Sequence, residues 1–342
     1  MPTIQDVAEL AGVAAITVSR VINNKGYVRE ETRRKVAEAI AELGYVPNTL
    51  ARGLRVKQTK TIALILTDIT NPFFTILARG VEDVANQAGF SVFLCNTDES
   101  EAKQMEYLRA LLQRQVDGIL LVPARSTNVP IDLIRNQGAE VVVIDRRIPY
   151  SQVDVIRCES VSSSYRLVTH LLELGHRRIA ILTGPREVST AEDRVAGYRA
   201  ALADASIAFD EQYVTYGRYS QESGYEMALE LLKLAPSPTA LFASNNFIAT
   251  GAVRAVESAG LRIPEDISIV TFDDMPETLV TKPFFTAIAQ PSYEMGQQAA
   301  QLLLKRISGE KVGDFQEMIL PTRLMIRTSS APPVPDVSLQ TT

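Results

Sequence analysis

The amino-acid sequence predicts a small all-α domain followed by an α/β core of two doubly wound parallel-sheet lobes. Helical apolar spacing fills residues 3–43, and from Thr61 onward short continuous apolar runs alternate with amphipathic helices. Such runs are typical of parallel strands that are covered by helices on both faces. The alternation restarts after a predicted helix at 160–175, which indicates two lobes in tandem. A chain of 342 residues is long enough for this arrangement.

The chain begins with two short predicted helices joined at Gly12. Thr3 is placed to cap the first helix, with Asp6 three residues further on, and the second helix runs over 15–23. The buried stripes are predicted at Ile4, Val7, Ala8 and Ala11 in the first helix and at Val18, Val21 and Ile22 in the second. The opposite face of the second helix carries Ala15, Ile16, Thr17, Ser19 and Arg20. This is the helix-turn-helix pattern, in which the second helix enters the major groove of DNA, although similar helix pairs also occur in small bundles.

A third helix, predicted over Glu30–Leu43, completes the all-α domain. Its apolar face is formed by Val36, Ala39, Ile40 and Leu43. Gly44 ends the helix, and Pro47 forbids its continuation. We therefore expect a helix-turn-helix domain over residues 1–46. The segment 47–60 is too short to fold alone and, judged by itself, is a simple linker.

This N-terminal region resembles one known family. The run TIQDVAELAGVAAITVSRVIN, starting at Thr3, and the segment Tyr45-Val46-Pro47-Asn48 are similar to the start of the lac repressor/galactose repressor family. The resemblance implies that Ala15, Ile16 and Arg20 read bases and that Thr17 and Ser19 hold phosphates. The DNA-binding residues that it implies are Thr3, Ala15, Ile16, Thr17, Ser19, Arg20, Asn23, Leu54 and Arg55.

The resemblance also assigns a role to the segment 47–60. In these repressors the corresponding segment is a hinge helix that forms on DNA, paired with its twin in a dimer. Leu54 matches the leucine that wedges into the minor groove at the centre of a palindrome, where unstacking costs a few kcal/mol. One departure precedes it: Ala14 stands where family members usually have a capping Ser or Thr, a loss of roughly 1 kcal/mol.

The charge distribution separates the N-terminal region from the rest. Residues 1–60 contain ten Lys or Arg against six Asp or Glu, a net charge of +4. Because the whole chain carries −5, the remainder carries −9. A basic head on an acidic body is typical of a polyanion-binding module joined to a separate domain, although chance clustering on a solvated surface would look the same.

The remaining elements alternate regularly. We predict strands at 62–67, 91–96, 118–122 and 141–145 in the first lobe and at 178–183, 239–243 and 267–272 in the second, with late strands at 287–290 and 319–326 that cross back between the lobes. The first lobe is expected to span about 61–158 and 290–319, and the second about 159–289 and 320–330. Residues 331–342, with three prolines, are expected to be a disordered tail without a tetramerisation coil.

Two such lobes form a cleft at the carboxyl ends of their strands, where these sheets bind ligands. Side chains suited to binding lie at these ends: Asn71, Phe73, Phe74, Asp145 and Arg146 in the first lobe, Arg194 at the start of a helix with Tyr219, Asn245 and Asp273 in the second, and Gln290 on a crossing segment. Singly, each has a structural explanation: Asn71-Pro72 is a turn, Asp273-Asp274 could cap a helix, and the aromatic residues could be core. A ligand site is therefore one of two interpretations for each residue.

Together, these residues resemble the cleft of the ribose-binding protein and its regulator relatives, the core fold that the repressor family shares. The matching positions are Asn71 to Phe74, Asp145-Arg146, Arg194, Asn245, Phe272-Asp273 and Gln290. The resemblance, which covers about residues 3–330, implies a sugar held by charge-assisted hydrogen bonds and aromatic faces. Arg146 and Arg194 would also suit a sugar acid or a sugar phosphate. Cys158-Glu159 departs from the usual Asp-Asn, which could alter either the ligand or the lobe connection.

Other features of the sequence indicate the cellular compartment of the protein. No apolar run approaches membrane-spanning length, so we expect no membrane partner. Met1-Pro2-Thr3 leads straight into the first helix, which indicates that there is no signal peptide. Cys95 and Cys158 do not make a disulfide framework, and a reduced cytoplasmic compartment fits best.

Two rival classes are an enzyme and a sugar-binding transport component. His170, expected on a helix surface, and His176, expected at a helix end, have no metal-ligand spacing, and no nucleophile or phosphate-loop motif occurs. Asp145 and Asp273 could pair as catalytic carboxylates, but Arg146 and Arg194 would keep them ionised. The transport class lacks its signal peptide. The sequence therefore predicts a dimeric, effector-controlled transcriptional repressor of carbohydrate-related genes, without cofactor or metal and without enzymatic activity.

Overall fold

The computed structural model describes residues 2–46, 58–149, 152–275, 281–310 and 313–334. The chain divides into two compact units, Met1–Thr59 and Lys60–Thr342. The helices are α1 (Ile4–Ala11), α2 (Ala15–Ile22), α3 (Glu30–Leu43), α4 (Pro72–Gln87), α5 (Glu101–Gln113), α6 (Val129–Asn136), α7 (Ser160–Glu173), α8 (Ser189–Asp204), α9 (Gln221–Leu232), α10 (Asn246–Ser258) and α11 (Ser292–Ser308). A short 3₁₀ turn covers Glu211–Tyr213. The strands are β1 (Thr61–Leu66), β2 (Ser91–Asn96), β3 (Gly118–Leu121), β4 (Glu140–Ile144), β5 (Asp154–Cys158), β6 (Ile179–Thr183), β7 (Val214–Tyr216), β8 (Ala240–Ala243), β9 (Ser268–Phe272), β10 (Thr286–Ala289), β11 (Glu317–Leu320) and β12 (Arg323–Met325).

The first unit is a three-helix domain around a small apolar core. Thr3 and Asp6 form a reciprocal capping box that starts α1, and Gly12 takes the left-handed conformation, φ 65°, that turns the chain into α2. Val7, Val18 and Val36, one from each helix, are fully buried. The predicted helix-turn-helix pair and third helix are confirmed, and so is the missing cap, because Ala14 offers α2 no side-chain hydrogen bond.

The second unit contains two six-stranded sheets with the same order. The first sheet runs β11-β5-β4-β3-β1-β2 and the second runs β12-β10-β9-β8-β6-β7. All neighbours are parallel except β10 and β12. Each sheet is packed between helices, with apolar clusters on both faces, so the strands are buried on both sides. The predicted class of two doubly wound lobes is confirmed.

The chain passes between the lobes at three places. It crosses after β5, after β10 at Pro291, and at Pro321-Thr322 between β11 and β12. The predicted single strand at 319–326 is therefore two strands that belong to different sheets. Two further strands, β5 and β7, were not predicted from the sequence. β7 is a three-residue edge strand, too short for its apolar pattern to stand out.

The structure also differs from the sequence prediction at the C-terminus. The expected disordered tail starts at 331, but the Ala331 N–H donates to Ser268 Oγ over 3.0 Å, and the Ala331 carbonyl accepts from His176 Nε2 over 2.9 Å. Ser329 is fully buried beside β9. The ordered chain thus reaches at least Val334, because this segment supplies hydrogen bonds to the edge of the second lobe. Residues 335–342 lie outside the described part of the chain.

The two histidines are structural in this fold. His170 is buried rather than on a helix surface, and its Nε2 lies 3.0 Å from Ser330 Oγ. His176 follows the end of α7 as predicted and is also buried, with Nδ1 2.9 Å from Thr239 Oγ1. Burial lowers the pKa of both imidazoles, so they hold the C-terminal segment in their neutral form.

Candidate functional site

The outward face of α2 combines one exposed apolar and one exposed basic side chain. Ile16 is 59% exposed, and the exposed Arg20 guanidinium makes no hydrogen bond or ion pair with any residue that the structure describes. Thr17 and Ser19 are half-buried beside them. Ala15 is also half-buried and packs against the domain core, which leaves it less surface for an outside contact than we expected.

Two further residues that were predicted to contact DNA form hydrogen bonds within the domain instead. The Thr3 N–H and Oγ donate to Asp6 Oδ2 over 2.7 and 2.9 Å. The Asn23 amide donates to the Ser19 carbonyl over 2.7 Å and closes the end of α2. Leu54 and Arg55 lie outside the described residues, and so does most of the predicted hinge.

A cavity of about 430 Å³ lies between the two lobes of the second unit, at the carboxyl ends of both sheets. Ten of the eleven predicted ligand residues line it: Asn71, Phe73, Phe74, Asp145, Arg146, Arg194, Tyr219, Asn245, Asp273 and Gln290. Residues that sequence reasoning missed complete the lining, namely Thr67, Asp68, Asp98, Glu99, Ser100, Arg125, Pro185, Thr190, Arg218 and Ser220. Glu99 follows β2 as Asp145 follows β4, so the rule of polar residues at strand ends could have found it.

The two lobes position Asp145 and Asp273 in the same way. Asp145 follows β4 and Asp273 follows β9, and these strands hold the same position in the two sheet orders. Both residues adopt a left-handed backbone, with φ 68° and 71°. Asp tolerates this conformation better than most residues, at a cost of roughly 1–2 kcal/mol. The kink ends each strand and turns a carboxylate into the cavity.

Asparagines that start helices supply the amide groups of the site. The Asn71 side chain caps α4 by accepting from the Phe73 N–H over 3.0 Å, and Asn245 caps α10 by accepting from the Ile248 N–H over 2.8 Å. The Asn71 amide also exchanges two 3.0 Å hydrogen bonds with Asn246 of the other lobe. Since Asn71 and Asn246 are both buried, this pair ties the lobes together beside the cavity.

Arg146 is held by acidic and carbonyl groups of its own lobe. Its guanidinium donates to both carboxylate oxygens of Glu99, over 2.7 and 2.5 Å, and to the Pro123 carbonyl over 2.8 Å. Its Nε lies 3.8 Å from the Asp145 carboxylate and is buried without a hydrogen-bond partner among the described residues. Burial alone disfavours the charged guanidinium, but Glu99 and Asp145 outweigh that effect and raise the pKa of Arg146. Arg146 is therefore a permanent cation whose main partner is Glu99.

Arg194 is the second buried cation of the cavity. It donates to the Ser244 carbonyl over 2.6 Å, and its guanidinium lies 4.0 Å from the centre of the Phe272 ring. Its Nε is also buried without a partner among the described residues. Phe272, predicted as a ligand contact, belongs to the core of the second lobe and does not line the cavity. It supports Arg194 from behind because its ring stacks under the guanidinium.

Burial affects the pKa values of Asp145 and Asp273 more than the sequence suggested. It raises the pKa of Asp145 to about 6, although Arg146 and Arg194 act in the opposite direction. Burial likewise raises the pKa of Asp273, against the effects of Arg194 and of the Gln290 amide, which donates to its carboxylate. The expectation that the arginines keep both groups ionised is therefore wrong for Asp145 below about pH 6.

Aromatic rings cover the remaining wall. Phe73 and Phe74 meet edge to face with ring centres 4.9 Å apart. Tyr219 lies opposite, with its hydroxyl 3.1 Å from Thr190 Oγ1. A Cβ at Gly184 would fall 2.2 Å from this ring, so only glycine permits Tyr219 to lie there.

Further contacts hold the lobes close around the cavity. The Arg147 N–H donates to Ser189 Oγ over 2.7 Å, and its guanidinium pairs with Asp193 of the second lobe. The Ser189 N–H in turn donates to Ser126 Oγ over 3.1 Å. These contacts lie at the start of α8, on the side of the cavity formed by residues 124–147.

The departure at Cys158-Glu159 concerns the lobe connection. Cys158 is buried in the first lobe, with its sulfur 3.4 Å from that of Met295. Glu159 accepts from Arg166 Nη2 over 2.8 Å and from the Thr322 N–H over 3.2 Å. Neither residue lines the cavity. Glu159 thus fastens one crossing segment to another.

Neither a metal site nor a membrane-spanning helix is found among the described residues. Within residues 2–46, 58–149, 152–275, 281–310 and 313–334, no group of three His, Cys, Asp or Glu side chains could hold a metal ion. No helix in these ranges is long and apolar enough to cross a membrane.

Two family profiles match the chain. Residues 3–48 match "Bacterial regulatory proteins, lacI family", and residues 59–328 match "Periplasmic binding proteins and sugar binding domain of LacI family". The transcriptional regulator DegA of Bacillus subtilis (strain 168) is 35% identical over 333 residues, which cover 96% of this chain and 98% of DegA.

Solved structures match over nearly the whole chain as well. A complex of the transcriptional regulator CelR with cellobiose is 33% identical, with a TM-score of 0.74, and covers 96% of this chain and 100% of its own. The lac repressor dimer bound to operator and an anti-inducer is 30% identical, with a TM-score of 0.83, and covers 96% and 99%.

Proposed function

The chain belongs to the lacI family of bacterial regulatory proteins, and on that premise we propose that it is a transcriptional repressor controlled by a sugar. It works in the cytoplasm as a homodimer on a near-palindromic operator, and it does not turn its ligand over. The observation that carries this function is the presence, in one chain, of a free recognition surface on α2 and a two-lobed polar cavity.

The DNA contact is made by the outward face of α2. Arg20 pairs with guanine in the major groove, since its guanidinium is exposed and free of competing partners among the described residues. Ile16 makes an apolar contact, such as with a thymine methyl group, and Thr17 and Ser19 bind backbone phosphates. Leu54 and Arg55 act in the minor groove through the hinge segment.

The effector binds between the lobes. Asp145, Asp273, Arg194 and the two asparagine caps present acceptors and donors to ring hydroxyls, and Phe73, Phe74 and Tyr219 cover the apolar faces of the ring. The CelR complex with cellobiose supports a sugar of this general kind. Because residues of both lobes contribute, binding stabilises the closed arrangement.

Closure then acts on DNA through the segment that joins the two units. We infer that the ligand biases the first lobes of the dimer and so orders or releases the hinge at Leu54. By linkage, operator DNA must change effector affinity by the same factor that the effector changes DNA affinity.

Binding-site selection followed by titration tests this function. The full chain is used to select sites from a random DNA pool, and the selected site is then titrated by fluorescence anisotropy with and without pentoses, hexoses and disaccharides. We expect a near-palindromic site and at least one sugar that changes its affinity. If no DNA sequence is selected, the proposed DNA-binding function is wrong. If a sugar binds tightly without changing the affinity for DNA, the proposed control of DNA binding by the sugar is wrong.

A chemical assay tests the absence of turnover. The effective sugar is incubated with the protein and recovered by chromatography. We expect it unchanged; a product that accumulates in proportion to protein concentration would reassign the chain to the enzymes.

A further inference from the structure

The charges that line the interlobe cavity are nearly balanced. Its lining contains the five carboxylates Asp68, Asp98, Glu99, Asp145 and Asp273 and the four guanidinium groups Arg125, Arg146, Arg194 and Arg218. The deepest cation, Arg146, is 2% exposed and has both of its terminal nitrogens bonded to Glu99. A bidentate pair of this kind is the arrangement by which arginine would otherwise hold a carboxylate or a phosphate of a ligand. Glu99 thus occupies the position of an anionic ligand group.

The unpartnered atoms of the cavity have a mixed pattern. Four buried atoms of lining residues have no hydrogen-bond partner among the described residues: the donors Arg146 Nε and Arg194 Nε, the acceptor Gln290 Oε1, and the Thr67 hydroxyl. A hydroxyl group both donates and accepts, so it suits a lining in which donors and acceptors are mixed. A phosphate dianion or a carboxylate only accepts. It would therefore offer no donor to Gln290 Oε1 or to the Asp145 carboxylate, which also lines the cavity.

The charged residues at the opening of the cavity do not make the cavity attractive to an anion. Arg125 donates to the Ala124 carbonyl over 2.7 Å and lies 3.8 Å from Glu101. Asp68 and Asp98 line the same opening. Arg218 is exposed, where solvent and salt weaken its attraction for an anion.

We propose that Glu99 is a specificity-determining residue, which neutralises Arg146 and restricts the cavity to uncharged polyhydroxyl sugars, excluding their phosphates and acids. The proposal rests on the proposed effector function of this cavity. It also narrows the range of ligands expected from the sequence, in which Arg146 and Arg194 would also suit a sugar acid or a sugar phosphate.

Matched ligand pairs test the proposal directly. The full chain is titrated by calorimetry with ribose and ribose 5-phosphate, glucose and glucose 6-phosphate, and galactose and galacturonate. In the wild type we expect a neutral member to bind and its anionic partner to bind roughly tenfold more weakly or worse. In Glu99→Gln, which frees one position of the Arg146 fork, we expect the anionic partner to gain roughly tenfold in affinity.

Two variants control for simpler explanations. Glu106→Gln removes the same charge from an exposed side chain of α5 that does not line the cavity, and should leave the preference unchanged. Glu99→Asp keeps the charge and should keep the exclusion of anions. Thermal unfolding without ligand establishes that each variant is folded.

The possible failures can be told apart. Binding of an anionic sugar by the wild type, including binding that disappears in Arg218→Ala, overturns the role of Glu99 while the effector function stands. An equal gain in Glu106→Gln and Glu99→Gln overturns it too, because the gain then comes from the change in overall charge. If no sugar of either kind binds, both the inference and the effector half of the proposed function fail.

Discussion

Single residues of the helix-turn-helix pair differ in how freely their side chains can contact DNA. Arg20 is exposed and free of side-chain partners in the described structure, whereas Thr3 and Asn23 are bonded within the domain. A base contact requires a donor that loses no internal bond, so Arg20 is the strongest candidate for direct readout.

Replacing Arg20 by Ala should relax base preference at one position in each half-site. The loss of a bidentate pair with guanine corresponds to roughly 1–3 kcal/mol of discrimination. Binding-site selection with the variant measures this. Arg34→Ala serves as control, since Arg34 is exposed on α3 and pairs only weakly with Glu38, 3.7 Å away. Unchanged preference in Arg20→Ala, or the same relaxation in both variants, would contradict the assignment.

The titration of Asp145 predicts a pH dependence of effector binding. Burial places its pKa at about 6 in a site that also contains Arg146, Arg194, Asp273 and Glu99. Sugar hydroxyls that donate to the carboxylate favour its ionised form. Affinity should therefore be constant above about pH 6 and fall as the pH drops below it, by up to about tenfold per unit.

Asp145→Asn separates this titration from other effects of pH. The amide cannot ionise, so calorimetry from about pH 5 to about pH 8 should give a flatter, weaker binding profile. A wild-type affinity that rises on acidification would show that the protonated carboxyl is the binding form instead.

Secondary-structure elements in this protein begin and end by local chemistry. A capping box starts α1, an asparagine starts α4 and another starts α10. Other helices lack a side-chain cap, among them α2, whose N-cap Ala14 has the extended backbone of a cap, φ −72° and ψ 147°, but no side-chain oxygen. Within the helix-turn-helix pair, the start of α1 is therefore capped and the start of α2 is not.

Ala14→Thr should stabilise the recognition helix. Ala14 is exposed and already has cap geometry, so the hydroxyl can accept from a free backbone N–H, for a gain of roughly 1 kcal/mol. Hydrogen exchange of the α2 amides measures the change. Ala14→Val, of nearly the same shape but without the oxygen, should give no such protection; equal protection in both variants would assign the effect to packing.

At the scale of the whole second unit, the two lobes form one ligand site because buried contacts join them. The Asn71–Asn246 pair is the most enclosed of these contacts, since both side chains are at most 4% exposed. An amide left buried without its partner costs roughly 1–3 kcal/mol, which opening of the lobes would relieve.

Asn246→Ala should shift the lobes toward an open arrangement. We expect a larger radius of gyration in small-angle scattering without ligand, and effector affinity reduced roughly fivefold or more. Arg262→Ala, which removes an exposed ion pair with Asp266 inside the second lobe, should change neither quantity. A variant with wild-type scattering and affinity would mean that Asn246 does not control closure.

The fold class and half of the cavity lining follow from the sequence alone. Apolar periodicity is a local signal, so α3 and β2 were predicted at their observed limits, and the rule that ligands bind at strand ends located Asp145 and Asp273. Which side chains contact one another follows from the three-dimensional fold. The Glu99–Arg146 pair, the raised pKa of Asp145, the position of Phe272 behind Arg194 and the anchoring of Ala331 depend on burial and on contacts between distant segments. Such contacts and the desolvation they cause are set by packing in three dimensions, which local sequence patterns do not encode.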